Sequence, residues 1–175
     1  QLVDESRYLE GLAHLRHLLS QYPRYVGAYY LLGKVMLEAD QPEFAIDLFR
    51  RALNANPEHM VSRIGLALAH QKLDELDAAI WNLERAFELD PGNSDIAEEL
   101  RHIYGARDGI TPDAVALSRA GLARMYIRGR RYDRAASELQ KLVDSHPNRS
   151  DLLTALAEAY WRAGQIVQAS EIGQR

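Results

Sequence analysis

Six arginines, Arg119, Arg124, Arg128, Arg130, Arg131 and Arg134, fall within a short stretch that holds a single acid, Asp133. A guanidinium fork makes paired, charge-assisted hydrogen bonds to phosphate or carboxylate, so this run could bind a phosphorylated or acidic ligand. The alternative is a solvated face whose arginines pair with carboxylates of neighbouring segments for little net energy. Residues 74–99 are the opposite, mostly Asp and Glu with Arg85 as the one opposing charge, so charge is polarised along the chain. Only Tyr126 and Tyr132 accompany the arginines, which weakens a single-stranded nucleic-acid reading. A net charge of −4 and a pI near 5.9 give no general attraction to nucleic acid either.

Other residue types that carry chemistry are scattered. Glu10, His14 and His17 share a helix face and could in principle touch one metal ion, but they lack the His-Glu-x-x-His spacing of helical zinc sites and a third histidine, so no metal site is expected. There is no cysteine, hence no disulfide, thiolate metal site or cysteine nucleophile. Ser6, Ser62 and Ser118 stand in no nucleophile motif, and the glycines form no phosphate-cradling loop, so neither catalysis nor a cofactor is expected. Asn148-Arg149-Ser150 matches a glycosylation acceptor, yet it lies where a helix should begin, and there Asn or Ser serves as a cap. No apolar run approaches the roughly 20 residues a membrane span needs, and no leader pattern opens the chain. A cytoplasmic fragment of a longer chain is the expectation, since the sequence starts at Gln1 and ends at Arg175 within a half-finished pattern.

The elements that must position these residues are set by a ladder of prolines. Pro23, Pro57 and Pro91 stand at one fixed interval, taken twice in succession. From Val26 to His59, Tyr29, Leu32, Gly33 and Met36 recur at helical spacing, a break follows at Ala39-Asp40-Gln41-Pro42, and Ala45, Phe49 and Ala52 precede Pro57. Small Gly33 and Ala45 allow close backbone approach, while Leu32, Met36 and Phe49 fill the space around them. Pro42 suits a first helical turn. The next step of the ladder repeats the pattern through Leu66, Ala67, His70, Ala79, Leu83, Ala86 and Pro91, with His70 expected between helices. A fixed period of this length means helix pairs that bury their apolar faces only by stacking.

These motifs resemble the tetratricopeptide repeat family, with its aromatic-leucine-glycine-tyrosine first helix and its alanine-phenylalanine-alanine-proline second helix on a period of about 34 residues. The register extends outward. Gly11, Leu15, Leu18 and Pro23 fall where a second helix would place them, and Leu122, Ala123, Tyr126, Ala135, Leu139, Leu142 and Pro147 form a further unit, followed by Leu156, Ala157, Tyr160 and Ala169. The expected fold is all-α, a superhelical solenoid of stacked antiparallel helix pairs with about ten helices in one array. Its segments are a partial repeat over 1–23, repeats over 24–57 and 58–91, an irregular helix and loop over 92–111, a repeat over 112–147 and a partial repeat over 148–175.

From Pro91 to Pro147 the distance is one full step plus most of another, so the ladder breaks there. Asn93 or Ser94 can cap a helix carrying Ile96, Ala97, Leu100, Ile103 and Tyr104 that ends near Gly105, and Thr111-Pro112 then reads as the start of a new long helix. The irregular segment either resets the stacking or opens a ligand notch around residues 98–124.

In the family the first helices line a concave groove, and the resemblance implies that ligands lie there. By motif offset the groove residues are Tyr30, Lys34, Ile64, Leu68, Lys72, Arg124, Arg128, Thr154, Glu158 and Trp161, a mixed surface suited to a peptide with apolar anchors and carboxylates. Ile64 and Leu68 serve equally as packing between adjacent pairs. The lysine-and-asparagine clamp with which one branch of the family holds chaperone C-termini is not matched, for asparagine is missing from these positions. The implied function is a non-catalytic scaffold for a protein or peptide partner. Self-association through Leu12, Leu15, Leu18, Ile166 and Ile172, expected to be exposed, is the alternative.

Overall fold

A computed structural model describes residues 2–175, with side chains from Glu10 onward. Gln1 and the side chain of Ser6 lie outside the described residues. Among the described residues ten helices follow one another: α1 (Leu2–Gln21), α2 (Val26–Glu38), α3 (Pro42–Ala55), α4 (Met60–Lys72), α5 (Leu76–Leu89), α6 (Ser94–Asp108), α7 (Arg119–Arg128), α8 (Tyr132–Ser145), α9 (Ser150–Arg162) and α10 (Ile166–Gly173). No strand occurs among them. The chain divides into two compact units, Gln1–Leu83 and Glu84–Arg175. The expected all-α fold of stacked helix pairs is what each unit shows.

In the first unit α3 lies against both α2 and α4, and those two helices also touch each other. The reason is one side chain. Phe49 of α3 is almost wholly buried, and its ring lies where side chains of Gly33 on α2 and Gly65 on α4 would otherwise stand: a Cβ at Gly33 would come within 2.7 Å of the ring and one at Gly65 within 2.5 Å. Ala45, Ile46, Leu66 and Ala69 close the core around it, with Tyr30, Met36 and Leu53 at its edge. Small residues flanking one large ring are what helix packing at close range demands.

The second unit repeats the arrangement with aliphatic residues. Leu139 and Val143 of α8 pack with Ala123 of α7 and with Leu152, Ala155, Leu156 and Ala159 of α9. Ile172, expected on an exposed stripe, belongs to this core and is only 8% exposed, because α10 folds back along α9. Ile166 does stay exposed, whereas Leu12, Leu15 and Leu18 are half-buried.

Two kinds of turn connect the helices, each repeated with the same hydrogen bonds. The proline turns run from one pair to the next: the Tyr25, His59, Asn93 and Arg149 amides donate to the carbonyls of Tyr22, Asn56, Asp90 and His146 at 3.0–3.1 Å. Proline at the second position of such a turn has its φ already set and needs no amide partner, which accounts for the ladder. Within pairs the first helix ends on a residue of positive φ: Asp40 (55°), Asp74 (59°), Arg130 (56°) and Gly164 (79°). The next amide then reaches back five residues, Gln41 to Met36, Glu75 to His70, Arg131 to Tyr126 and Gln165 to Tyr160, at 2.8–2.9 Å. This is the left-handed helix stop that satisfies carbonyls the helix leaves open.

Within the broken interval, Asn93 caps α6 by accepting from the Asp95 and Ile96 amides, and α6 runs past Gly105 to end at Gly109, which has φ 75°. The helix expected from Pro112 begins only at Arg119. A tertiary partner holds the intervening backbone, the Pro112 carbonyl accepting from Arg101 Nε at 2.7 Å, and a local cap fixes the true start, Ser118 Oγ accepting from the Gly121 amide at 3.1 Å.

The contact between Phe49 and its two glycines gives a direct test. Gly65→Ala should destabilise the protein by about 1–3 kcal/mol through overpacking. In urea unfolding, adding Phe49→Leu should recover part of that loss, and strictly additive effects would rule out the wedge.

Candidate functional site

Of the ten expected groove residues, the structure gathers three in one place. Between α2 and α4, within the first unit, lies an open cleft of about 490 Å³ lined by Lys34, Leu37, Glu38, Leu68, Gln71 and Lys72. Its exposed surface is mostly apolar. Helical spacing explains the set, since Lys34, Leu37 and Glu38 share one face of α2, and Leu68, Gln71 and Lys72 one face of α4. Leu68 is 44% exposed although apolar. Lys34 Nζ stands 3.8 Å from Glu38, and Lys72 Nζ 2.6 Å from Asp40. The Lys72 hydrogen bond and charge hold the Asp40 carboxyl below its ordinary range. Leu37, Glu38 and Gln71 were missed by motif offset, yet the helical period that placed Lys34 and Leu68 also points to them.

Tyr30 and Ile64 are half-buried. The Tyr30 ring packs against Phe49 at 6.2 Å between centroids and edge-on against His59 at 5.7 Å, which makes it as much a core residue as a groove one. Burial lowers the His59 pKa, and its Nδ1 is 2.7 Å from the Oγ of fully buried Ser62.

The other five expected groove residues are in the second unit, on α7 and α9, which touch. Arg124 donates to the Asp151 carbonyl at 3.2 Å, and Arg128 reaches the Asp90 carboxylate and the Leu89 carbonyl, both at 2.9 Å. Thr154 donates to the Ser150 carbonyl, Glu158 faces Arg162 at 3.5 Å, and Trp161 is 57% exposed with the Arg162 guanidinium 5.0 Å from its ring centre.

Where a ligand notch around 98–124 is expected, the second unit has a small cavity of about 120 Å³ whose lining includes Glu84, Glu88, Tyr104 and Ser118. Its polar groups are turned on one another. Tyr104 donates to Glu84 at 2.7 Å, and burial first, then the Glu84 carboxylate, pushes the phenol up to about 12. Glu88 is only 4% exposed. Its Oε1 accepts from Arg85 at 2.9 Å and from Ser118 at 2.8 Å, while Oε2 accepts from Arg149 at 2.7 Å with Arg85 Nε 2.8 Å away. Arg149 also grips Asp151, itself buried, through Nε at 3.2 Å and Nη2 at 2.5 Å. Burial alone would lower the Arg149 pKa, but the Asp151 and Glu88 carboxylates more than offset it and the net shift is upward. This network ties the end of α5 to the starts of α7 and α9. Arg149 itself occupies the helix N-cap without a side-chain cap bond, so neither Asn148 nor Ser150 caps α9 as expected.

His70 is buried, as expected, with Nδ1 2.6 Å from Glu75. Glu10, His14 and His17 are exposed. Among the described residues no group of three or more His, Asp or Glu side chains is placed to hold a metal ion, and no helix is long and apolar enough to cross a membrane.

Three family models described as tetratricopeptide repeat match residues 2–59, 62–93 and 126–174. The matches leave out residues 94–125, within the interval where the proline ladder breaks. Over 86 residues the chain is 33% identical to the Saccharomyces cerevisiae protein "Essential for maintenance of the cell wall protein 1", covering 49% of this chain and 10% of that protein. Over 76 residues it is 26% identical to Mus musculus "Superkiller complex protein 3", covering 43% and 5%. The chain thus spans a tenth or less of the length of these curated relatives. Among solved structures it is similar to MamA, with TM-score 0.53 and 19% identity over 92% of this chain and 81% of that one. It is also similar to YrrB, described as a TPR protein with an unusual peptide-binding site, with TM-score 0.51 and 12% identity over 90% and 88%. At these identities the likeness is one of fold.

Two outcomes follow from the charges. Arg149→Ala removes the cation that the buried Glu88 and Asp151 share, leaving Glu88 with Arg85, and should cost about 3–5 kcal/mol, whereas breaking the exposed Lys34–Glu38 pair should cost under about 1 kcal/mol. Comparable losses in urea unfolding would contradict this. For His59 the folded pKa lies below the unfolded one, so the unfolded state takes up more protons as pH falls through the ordinary histidine value, and stability declines. His59→Gln should flatten thermal stability between about pH 7 and 5, and an unchanged slope would show that another group carries it.

Proposed function

Because the chain belongs to the tetratricopeptide repeat family, whose helix pairs serve as scaffolds for protein–protein interaction, we propose that it holds a segment of a partner protein in the cleft between α2 and α4. The observation that carries this reading is the convergence of Leu68, Leu37, Lys34 and Lys72 on one open cleft. Leu68 keeps a large apolar surface in water, which burial against a partner side chain would recover at about 25 cal/mol per Å². The two lysines border that apolar surface. Their present partners, Glu38 and Asp40, are exposed carboxylates, so exchanging them for carboxylates of a ligand costs little. A short peptide with one apolar anchor and an acid on either side fits both features, in the manner of segments that dock in grooves between helices.

The remaining expected groove residues extend the reading to the second unit, where Trp161 offers a second exposed anchor beside Thr154 and Glu158 on α9, with Arg124 and Arg128 on α7. Peptide display against the whole chain, followed by calorimetry on a selected peptide, tests the cleft. Leu68→Ala with Lys34→Ala should weaken binding at least about tenfold, roughly 1.4 kcal/mol. Phe44→Ala, an exposed apolar residue on α3, should leave it unchanged. Full affinity in the double variant would end the cleft assignment.

A further inference from the structure

The six clustered arginines separate into two groups. Arg124 and Arg128 are tied down by Asp151 and Asp90. Arg119 stands near Glu138, whose carboxyl Lys141 chiefly, and Arg119 as a lesser cation, hold below the usual range. Arg130, Arg131 and Arg134 are exposed, and their side chains make no hydrogen bond or ion pair among the described residues. They sit at the turn from α7 to α8 and on the first turn of α8.

The molecule supplies its own controls for this turn. The same backbone, with the same positive φ and the same amide reaching back five residues, is built three more times. Those copies read Asp40-Gln41, Asp74-Glu75 and Gly164-Gln165, whereas this one reads Arg130-Arg131. Aspartate and glycine tolerate a positive φ, and arginine does not share that ease. The acidic copies also make contacts: Asp40 pairs with Lys72 and Glu75 with His70. A positive charge beside a helix N-terminus opposes the helix dipole, and only Asp133 in the first turn of α8 answers it. The fold therefore gains nothing from arginine here, and local electrostatics count against it.

We propose that Arg130, Arg131 and Arg134 form a binding site for anionic groups, carboxylate or phosphate, presented by a protein partner. Guanidinium forks exposed on one tight turn can take such groups in paired bonds. Tyr132, half-buried, is the one aromatic within this turn, so stacked bases have little to lie on and a protein segment is favoured over nucleic acid. The site belongs to the second unit and does not rest on the α2–α4 cleft.

The test is fluorescence anisotropy of the whole chain with three labelled ten-residue probes: an oligoglutamate, a Ser-Gly peptide with three phosphoserines, and a single-stranded RNA. The oligoglutamate or the phosphopeptide should bind, more weakly as salt rises, and whichever is tighter names the source of the anion. Arg130→Asp with Arg131→Glu installs the Asp74-Glu75 pair of the sister turn. It should keep or raise the melting temperature while weakening the acidic probe at least tenfold. Arg134→Gln should weaken it severalfold, and Arg50→Glu in α3 should not. The proposal is overturned if neither acidic probe binds at low salt, if RNA binds more tightly than both, or if Arg50→Glu loses as much as the turn variant. Collapse of the folded state in the turn variant would equally overturn it, by showing that the arginines serve the fold.

Discussion

The first unit depends on how close two helices can come to one aromatic ring. Phe49 lies where Gly33 and Gly65 have no side chains, so the thickness of a ring, not of a ring plus methyl groups, sets how far α2 and α4 stand from α3. Lys34 follows Gly33, and Leu68 lies one turn beyond Gly65. The helices whose positions Phe49 governs are therefore those that supply the cleft. A residue that no ligand touches fixes the distance between the residues that a ligand would touch, and cores this tightly packed pass such constraints on with little slack.

The second unit meets a different difficulty. Its register is broken between Pro91 and Pro147, so the repeat does not dictate how the end of α5 meets the helices that follow. A buried carboxylate makes that link. Glu88 uses both oxygens to hold Arg85, Ser118 and Arg149, and Arg149 carries the link on to Asp151. A network of this kind adds little net stability over a well-packed apolar joint, but it tolerates few alternatives, because every wrong pairing leaves a charge buried alone. That suits an interval where the repeat no longer dictates which segment lies beside which.

How far the sequence could be read follows the same division. The prolines, Gly33, Ala45, Phe49, Leu139 and Leu156 announce their places because their partners lie within one helix turn or one repeat. The cleft is half-legible: Lys34, Leu68 and Lys72 follow from the offset, while Leu37, Glu38 and Gln71 need the helical period around them. Glu88 is different. It stands in an acidic stretch and looks like any solvated glutamate, and its partner Arg149 is 61 residues away across the broken interval. The start of α7 was hidden for a related reason, since Thr111-Pro112 carries good helix-starting chemistry but its carbonyl is held by Arg101 of α6, while Ser118 caps the helix locally, seven residues later than Thr111. Ile172 misled by position alone, being near the end of the sequence and nonetheless covered by its own helix pair.

The turns within the helix pairs keep their shape through main-chain bonds and a single left-handed residue, and Asp, Arg and Gly all occupy that position without altering it. Scaffold and surface are thus separately variable here. A lineage can rewrite the side chains at such a turn, reversing its charge outright, while the hydrogen bonds that stop one helix and admit the next stay the same. New partners can be recruited at these positions without the core having to be renegotiated.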